Sequence, residues 1–491
     1  MAPTIFFILL TLLIVPANTH LQSDEEGFIS VFISEQGLDF VKDLLINTAV
    51  SSFTPLELPP IEKSVKIPLV GKVHIVLSNI TIYQVGVSSS FVKPGESGLA
   101  IVASGATANL SMNWRYSYST WLVPIAITDK GEASVQVEGM EVGLTLGLRN
   151  QEGKLRLSLL ECGCYVKDVS IKLDGGASWL YQGVVDAFGG QIGSSVEEAV
   201  SQKIREGVLK LDSQLQNLPK EIRVDKIAIL NITLVKDPVL SNYSIGFEIN
   251  GLFTAIGEVS SFYYYHEKSL ASDYCKGLAK MVGISLHQSV INSASVVCFN
   301  ENIMTWVVDE LPDQSLLNTA GWKHIVPQLY KLYPNDDMNL NISASSPPTI
   351  LISDHDIDAT IHLDVTINVL DAEVIPVACI AMVIHVSGSA EIQRNSLVGS
   401  VRLDDFTLSL KWSKIGNLHM HLVQTVTSTL LKTMLLPYAN LRLRRGFPLP
   451  VLHGFGLKNA EIHWTDSRLM ICSDVAFTAE RGLDHFPMSN N

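Results

Sequence analysis

The chain has 491 residues, of which 47% are hydrophobic and 17% charged, with 35 Lys and Arg against 49 Asp and Glu and a formal net charge of −14. So acidic a chain is a poor electrostatic partner for nucleic acid or for a broadly anionic membrane, and six cysteines over this length do not make a small disulfide-built scaffold. The mean hydropathy of +0.26 points to extensive apolar lining, and the length exceeds what one hydrophobic core usually serves, so two domains are expected.

From the N-terminus, Ile5 to Val15 is an unbroken apolar run succeeded by Pro16, Ala17 and small or polar residues. That is the length and flank of a signal peptide, predicted over residues 1–20, and it is too short to cross a bilayer. A secreted mature chain beginning between residues 18 and 24 is expected. No later stretch reaches the roughly 18 uninterrupted apolar residues that a membrane span needs. Five Asn-x-Ser/Thr sequons, at Asn79, Asn109, Asn231, Asn242 and Asn341, fit passage through the secretory route and are the expected glycosylation sites.

Most of the mature chain reads as strand. Ser64 to Val85, Ala133 to Leu148 and Asp358 to Leu370 alternate or run β-branched, separated by turn residues. In "LLECGCYVKD" alternation puts Cys162 and Cys164 on one face. Same-face positions two apart sit roughly 6.5 to 7 Å from each other, beyond comfortable disulfide reach. A lone C-x-C with no matching Cys/His pair is also weak as a metal clip, so the two are read as structural or free thiols. Cys275 with Cys298, and Cys379 with Cys472, are candidate disulfide pairs.

Two helical segments stand out. Leu180, Val184, Phe188, Ile192, Val196, Val200, Ile204 and Val208 recur every fourth residue, and Leu418, Leu422, Val426, Leu430 and Met434 repeat the device in the second half. A helix turns about 100° per residue, so a period-four row advances about 40° at each step. Such a row cannot lie on a flat sheet; it needs apolar cover that turns with it, as a strongly twisted, rolled sheet supplies. Both segments lead through a Pro-containing exit to another strand pair. The repetition predicts an internal duplication, with an N-terminal domain over 24–250, a linker and central-sheet region over 251–280, and a C-terminal domain over 281–491.

Other constellations take plainer readings. Asp354, Asp356 and Asp358 have calcium-loop spacing, but Ala359 stands where the loop needs Gly and Val365 where it needs Glu, so they read as the wet face of a strand. Arg442, Arg444 and Arg445 precede Gly446 and read as cations closing a helix against its dipole. No nucleophile elbow, phosphate loop or zinc-protease motif occurs, and the 13 histidines show no ligand spacing. Neither an enzyme nor a bound metal or cofactor is expected.

The stretches "GLDFVKDLL" (37–45), "KIPLVGKVH" (66–74), "VEGMEV" (137–142), "MVGISLHQSVINSASVV" (281–297), "LYPNDDMNLNISASSPP" (332–348) and "GFPLPVL" (446–452) together resemble the bactericidal/permeability-increasing protein and lipopolysaccharide-binding protein family. The resemblance covers nearly the whole mature chain. It implies an α+β boomerang of two pseudo-symmetric barrels, each a long helix against a highly twisted antiparallel sheet, joined by a central sheet and each holding a phospholipid in an apolar tunnel. The expected lining is Leu38, Val41, Leu44 and Leu45 from an N-terminal helix, with Val184, Phe188, Ile192, Leu422, Val426 and Leu430 from the long helices. The family's disulfide from strand to long helix would join Cys162 to the position of Ser201, where this chain lacks the second cysteine.

The resemblance further implies recognition of bacterial lipopolysaccharide, through lipid A, and a role in innate defence and antimicrobial action by a monomer. Lys66, Lys72 and Arg115 keep positive charge at the tip of the first domain, where the family's endotoxin binders carry a cationic cluster. Yet residues 24–250 hold 19 Lys and Arg against 26 Asp and Glu, which weakens electrostatic capture of a phosphorylated glycolipid. Trp114, Tyr116, Tyr118 and Trp121 could dip into a membrane interface as a peripheral contact or simply pack the strand. Alternatives to endotoxin recognition are a general phospholipid carrier or transfer protein, and a structural or receptor-partner glycoprotein without lipid cargo.

Overall fold

The computed structural model describes residues 27–67, 71–120, 123–174, 181–224, 226–257, 275, 279–311, 314–353, 356–449 and 454–477. The expected signal peptide, Trp121, Leu180, Asp354 and most of 251–280 lie outside the described residues. No described helix is long and apolar enough to cross a membrane.

The first half is an eight-stranded antiparallel sheet built on the strands Gly71–Gly86, Gly98–Thr120 and Val123–Gln151. Leu56–Leu58 and Ile61–Ile67 pair successive stretches of the first of these. Lys154–Tyr165 and Asp168–Asp174 likewise share the third. Strands of 23 and 29 residues do not stay flat: register shifts at Ser78/Thr81, Ala103/Ala106 and Thr145/Leu146 mark bulges, each adding bend and twist. One face is apolar throughout. Val73, Ile75 and Leu77 are buried between exposed Lys72 and His74, and Trp114 and Tyr116 are buried on either side of exposed Arg115.

The helix Tyr181–Gln216 lies in the resulting concavity. Phe188, Ile192 and Val196 are completely buried and Val200 is buried beside them, while Ile204 and Val208 are half-buried. Both flanks of the sheet reach this helix. From one side Lys63 Nζ donates to Ala187 O at 2.8 Å; from the other, Val166 N donates to Glu197 Oε1 at 2.7 Å and Leu157 N to Asp212 Oδ1 at 2.9 Å. The sheet is therefore wrapped around the turning apolar row, as the period-four spacing requires.

Cys162 and Cys164 sit in that wrap as free thiols, half-buried against the helix. Ser201 hydrogen-bonds Cys162, so the strand and helix positions that the resemblance pairs are in contact here without a bond between them. Burial, then the Glu197 carboxylate and the neighbouring Cys162, pushes the Cys164 thiol up to about 12.

The second half repeats the scheme with a seven-stranded sheet ordered Thr305–Val308, Asp337–Ala344, Ile357–Leu370, Val374–Gln393, Ser396–Ser413 and Phe447–Pro448, with Thr349–Ile352 also on Ile357–Leu370. Its helix is broken. Met420–Leu430 is α-helical, Leu431–Leu435 forms a π-turn, and Leu436–Leu443 resumes the α-helix. Leu436 N–H reaches back to Leu431 O, and Pro437 has no N–H to offer the carbonyl of Thr433, which explains why the break falls here. Gly446 ends the segment at φ +77°, the left-handed conformation that glycine adopts at helix ends.

A third, six-stranded sheet is shared between the halves. Its order is Val239–Ser241, Ser244–Ile249, Ile29–Ser34, Val282–His287, Arg468–Phe477 and Phe455–Thr465, so the first described strand pairs on one side with the first half and on the other with the second. The helix Glu35–Ser52 grows from that strand, capped by Ser34 Oγ accepting from Gly37 N at 3.3 Å. A Cβ at Gly37 would stand 2.4 Å from Met281 O, so only glycine permits the helix to start this close to the neighbouring chain.

One disulfide crosses the junction, Cys275 to Cys472, closing 197 residues of chain with both cysteines wholly buried. This overturns the expected pairs, since Cys298 and Cys379 are free. Cys472 lies in the central sheet opposite Gly283, whereas Cys379 lies opposite Thr366 and Trp412 in the second-half sheet. The strands of Cys379 and Cys472 belong to different sheets, which keeps the two thiols from pairing.

The cysteines make this framework testable in two ways. Replacing both members of the bridge by alanine, Cys275→Ala with Cys472→Ala, removes a constraint on a very long loop and should lower stability by up to about 5 kcal/mol in guanidinium unfolding; an unchanged midpoint counts against the bond. At pH 8 a thiol at about 12 is ionised in about one molecule in ten thousand, against about one in ten at the ordinary 9.0. Iodoacetamide should therefore modify Cys164 roughly a thousandfold more slowly in the folded chain than in the denatured one, read by peptide mass mapping.

Candidate functional site

Between the second-half sheet and its broken helix lies a cavity of ≈ 380 Å³. The sheet wall is the inward phase of the strands: Leu340 and Ile342, Val365 and Ile367, Ile380 and Met382, and Leu408. The helix wall is Val423, Val426, Leu430 and, from the π-turn, Leu431, Met434 and Leu435. Trp306 and Val307 of the edge strand complete one side. Polar groups are few: the exposed carboxylates Asp309 and Glu310, the Thr427 hydroxyl and the Tyr438 phenol. An apolar space with a few polar groups is what an amphiphile with hydrocarbon chains fits.

The expected lining residues divide. Val426 and Leu430 line the cavity, and Leu422 is half-buried without lining it. Phe188 and Ile192 are fully buried in the first-half core, and Val184 lies in the first turns of that helix with its side chain outside the description. In the N-terminal helix Leu38 is buried, Leu44 and Leu45 are half-buried, and Val41 is exposed. The sheet wall, Trp306, Tyr438, Asp309 and Glu310 were not foreseen; the alternation over Asp358 to Leu370 contains Val365 and Ile367 in one phase and was the available signal.

In the first-half sheet Lys66, Lys72 and Arg115 are all exposed, on the face opposite the apolar one. Lys66 stands opposite Lys72, and Arg115 opposite Lys130. Beneath them Trp114 and Tyr116 stack with ring centroids 5.7 Å apart, and Trp114 Nε1 donates to Glu132 O at 3.0 Å. Both rings are buried, so they pack the sheet rather than reach outward. Burial, then Asp129 and Tyr118, raises the Tyr116 phenol above its ordinary value.

Among the sequons, Asn79 and Asn242 are exposed, and Asn109 and Asn341 half-buried. Asn231 is buried, its Oδ1 accepting from Thr233 N at 2.9 Å and Thr233 Oγ1 at 2.7 Å. Asp358 pairs in the sheet opposite Leu351 and Ser387, and no group of three or more metal-ligating side chains occurs among the described residues.

Comparison with known proteins agrees with this architecture. The N-terminal domain of the LBP / BPI / CETP family matches residues 37–218 and its C-terminal domain residues 222–477. A BPI/LBP family protein of Arabidopsis thaliana is 55% identical over 475 residues, covering 96% of each chain. A bactericidal permeability-increasing protein of Sebastes schlegelii is 25% identical, covering 92% of this chain and 95% of the relative. The human lipopolysaccharide-binding protein is 23% identical, covering 86% and 87%. The crystal structure of a lipopolysaccharide binding protein superposes with a TM-score of 0.60 at 20% identity, over 92% of this chain and 100% of the other, which establishes a shared fold. With both of its domains matched over most of the chain and the fold in common, the chain belongs to the LBP / BPI / CETP family.

Proposed function

We propose that the protein is a secreted, glycosylated lipid-binding protein that holds the acyl chains of a phospholipid-type amphiphile and recognises the lipid A of bacterial lipopolysaccharide in innate defence. It works by binding rather than catalysis, in keeping with its family. The observation that carries the reading is the apolar cavity of ≈ 380 Å³ beside the broken helix. Each buried methylene contributes roughly 0.8 kcal/mol, so chain burial alone supplies ample affinity. The endotoxin part is supported by the names of the animal relatives and by the exposed cations Lys66, Lys72 and Arg115. The acidic excess of the first half favours a second reading, a general phospholipid carrier.

Native mass spectrometry tests the cavity. The purified protein should carry lipid, and Val426→Trp with Leu430→Trp should empty the second-half site while circular dichroism stays unchanged; an organic extract of the wild-type protein that contains no lipid sinks the reading. Titration with lipopolysaccharide then separates the two lipids. Endotoxin recognition through the tip predicts tight binding at low salt, steep loss as salt rises, and at least tenfold weakening in a Lys66→Gln, Lys72→Gln, Arg115→Gln variant, each cation being worth about 1 kcal/mol near an anionic surface. No binding at low salt leaves the carrier.

A further inference from the structure

The second-half helix ends in a surface that its core packing leaves unexplained. Residues 441–445 are exposed in succession, with Leu441 63% and Leu443 41% exposed among Arg442, Arg444 and Arg445. Tyr438, Leu441, Arg442 and Arg445 are three or four residues apart and so share one side. Asn440, with Leu443 and Arg444 on its side of the helix, ties this end to the edge of the sheet, its Oδ1 accepting from Val401 N at 2.7 Å and its Nδ2 donating to Val401 O at 3.0 Å, yet both neighbours remain exposed beyond that contact.

Tyr438 connects this surface to the cavity. It is one of the residues that line the cavity, and its hydroxyl accepts from Arg442 Nε at 3.1 Å and Nη2 at 2.9 Å, with the guanidinium 5.3 Å from the ring centre. No carboxylate among the described residues pairs with Arg442, Arg444 or Arg445. Asp404, three residues beyond Val401, is held by Arg402 and Ser387. Cations suit the end of a helix, but the helix dipole gives no reason for two exposed leucines between them.

We propose that this face docks on an anionic phospholipid bilayer, bringing the rim of the lipid cavity to the membrane. Charge complementarity selects the occupant: three guanidinium groups without acidic partners among the described residues, on a chain whose net charge is −14, attract a surface of phosphates. Leu441 and Leu443 bury in the interface, and Tyr438 places an apolar ring with a polar tip at headgroup depth. The cavity's lipid content rests on the reading above, whereas membrane docking is measured separately from it.

Flotation with vesicles of phosphatidylcholine, alone or with added phosphatidylglycerol, tests the proposal in the full-length protein. Wild type should float only with the anionic vesicles and be released by salt. Arg442→Gln, Arg444→Gln and Arg445→Gln together should weaken binding about a hundredfold, each cation near an anionic surface being worth roughly fivefold. Leu441→Ser with Leu443→Ser should weaken it at low and high salt alike, and the Lys66→Gln, Lys72→Gln, Arg115→Gln variant should still float. Unchanged flotation of the triple arginine variant overturns the proposal. So does flotation abolished by the first-half substitutions alone, or wild type that binds a protein partner through this face and no vesicle. Native mass spectrometry of the arginine variant should show its lipid retained; a wild type without lipid that still floats sinks the cavity reading and leaves this one standing.

Discussion

A helix whose apolar row turns around its axis dictates the shape of everything packed on it. From Phe188 to Val200 the row turns by about 120°, yet all four of its residues are buried. A flat sheet leaves part of such a row in water, at a cost of about 1.5–3 kcal/mol for each large side chain exposed. The first-half sheet avoids that loss by reaching the helix from both flanks, through Lys63 on one side and Val166 and Leu157 on the other. Long bulged strands are what make the reach possible. Once a sheet is committed to enclosing its own helix, only its ends remain to join a neighbour, and the central sheet is built there: Ile29–Ser34 pairs with Ser244–Ile249 and with Val282–His287.

The second half meets the same demand with less apolar filling. Val423 and Leu431 are buried, while Val426, Leu430 and Met434 are half-buried around an open space. The break at Pro437 matters here because a π-turn carries more residues per turn than an α-helix, and Leu431, Met434 and Leu435 spread along the cavity wall. The space of ≈ 380 Å³ is open to solvent on one side, so water lies against part of its apolar wall, and the half-buried helix residues are the surface that an apolar occupant would cover.

The fold was legible because its cause is local. A period of four in "VVDAFGGQIGSSVEEAV" and strand alternation around it are written within short windows, and they repeat in both halves. What escaped the sequence is set by long-range pairing. Cys275 finds Cys472 at a separation of 197 residues because the central sheet brings the start of one half beside the end of the other, which no window contains. The cavity's sheet wall escaped for a related reason. Val365 and Ile367 are ordinary inward strand residues, and only the distance between the broken helix and the sheet decides whether such residues touch another side chain or line a space. Trp114 and Tyr116 were open to two readings until their strand phase placed them beneath the outer face, stacked and buried.

The charges on that outer face carry a separate argument. Like charges directly opposite each other on neighbouring strands destabilise a sheet, and this one has two such pairs, Lys66 with Lys72 and Arg115 with Lys130. At physiological ionic strength repulsion between exposed charges fades beyond about 8 Å, so the chain's remote acidic residues relieve neither pair. Glu62, on the same strand as Lys66, is turned to His74 at 3.9 Å. Exposed Glu132, two residues from Lys130 on the same face and diagonal to Arg115, offsets part of the repulsion in the second pair. Arg115 stands opposite Val76, four residues from Lys72 along Gly71–Gly86 and so roughly 13 Å away at a strand's rise, which makes the two pairs separate local costs that the stacked Trp114 and Tyr116 underneath help the sheet to bear.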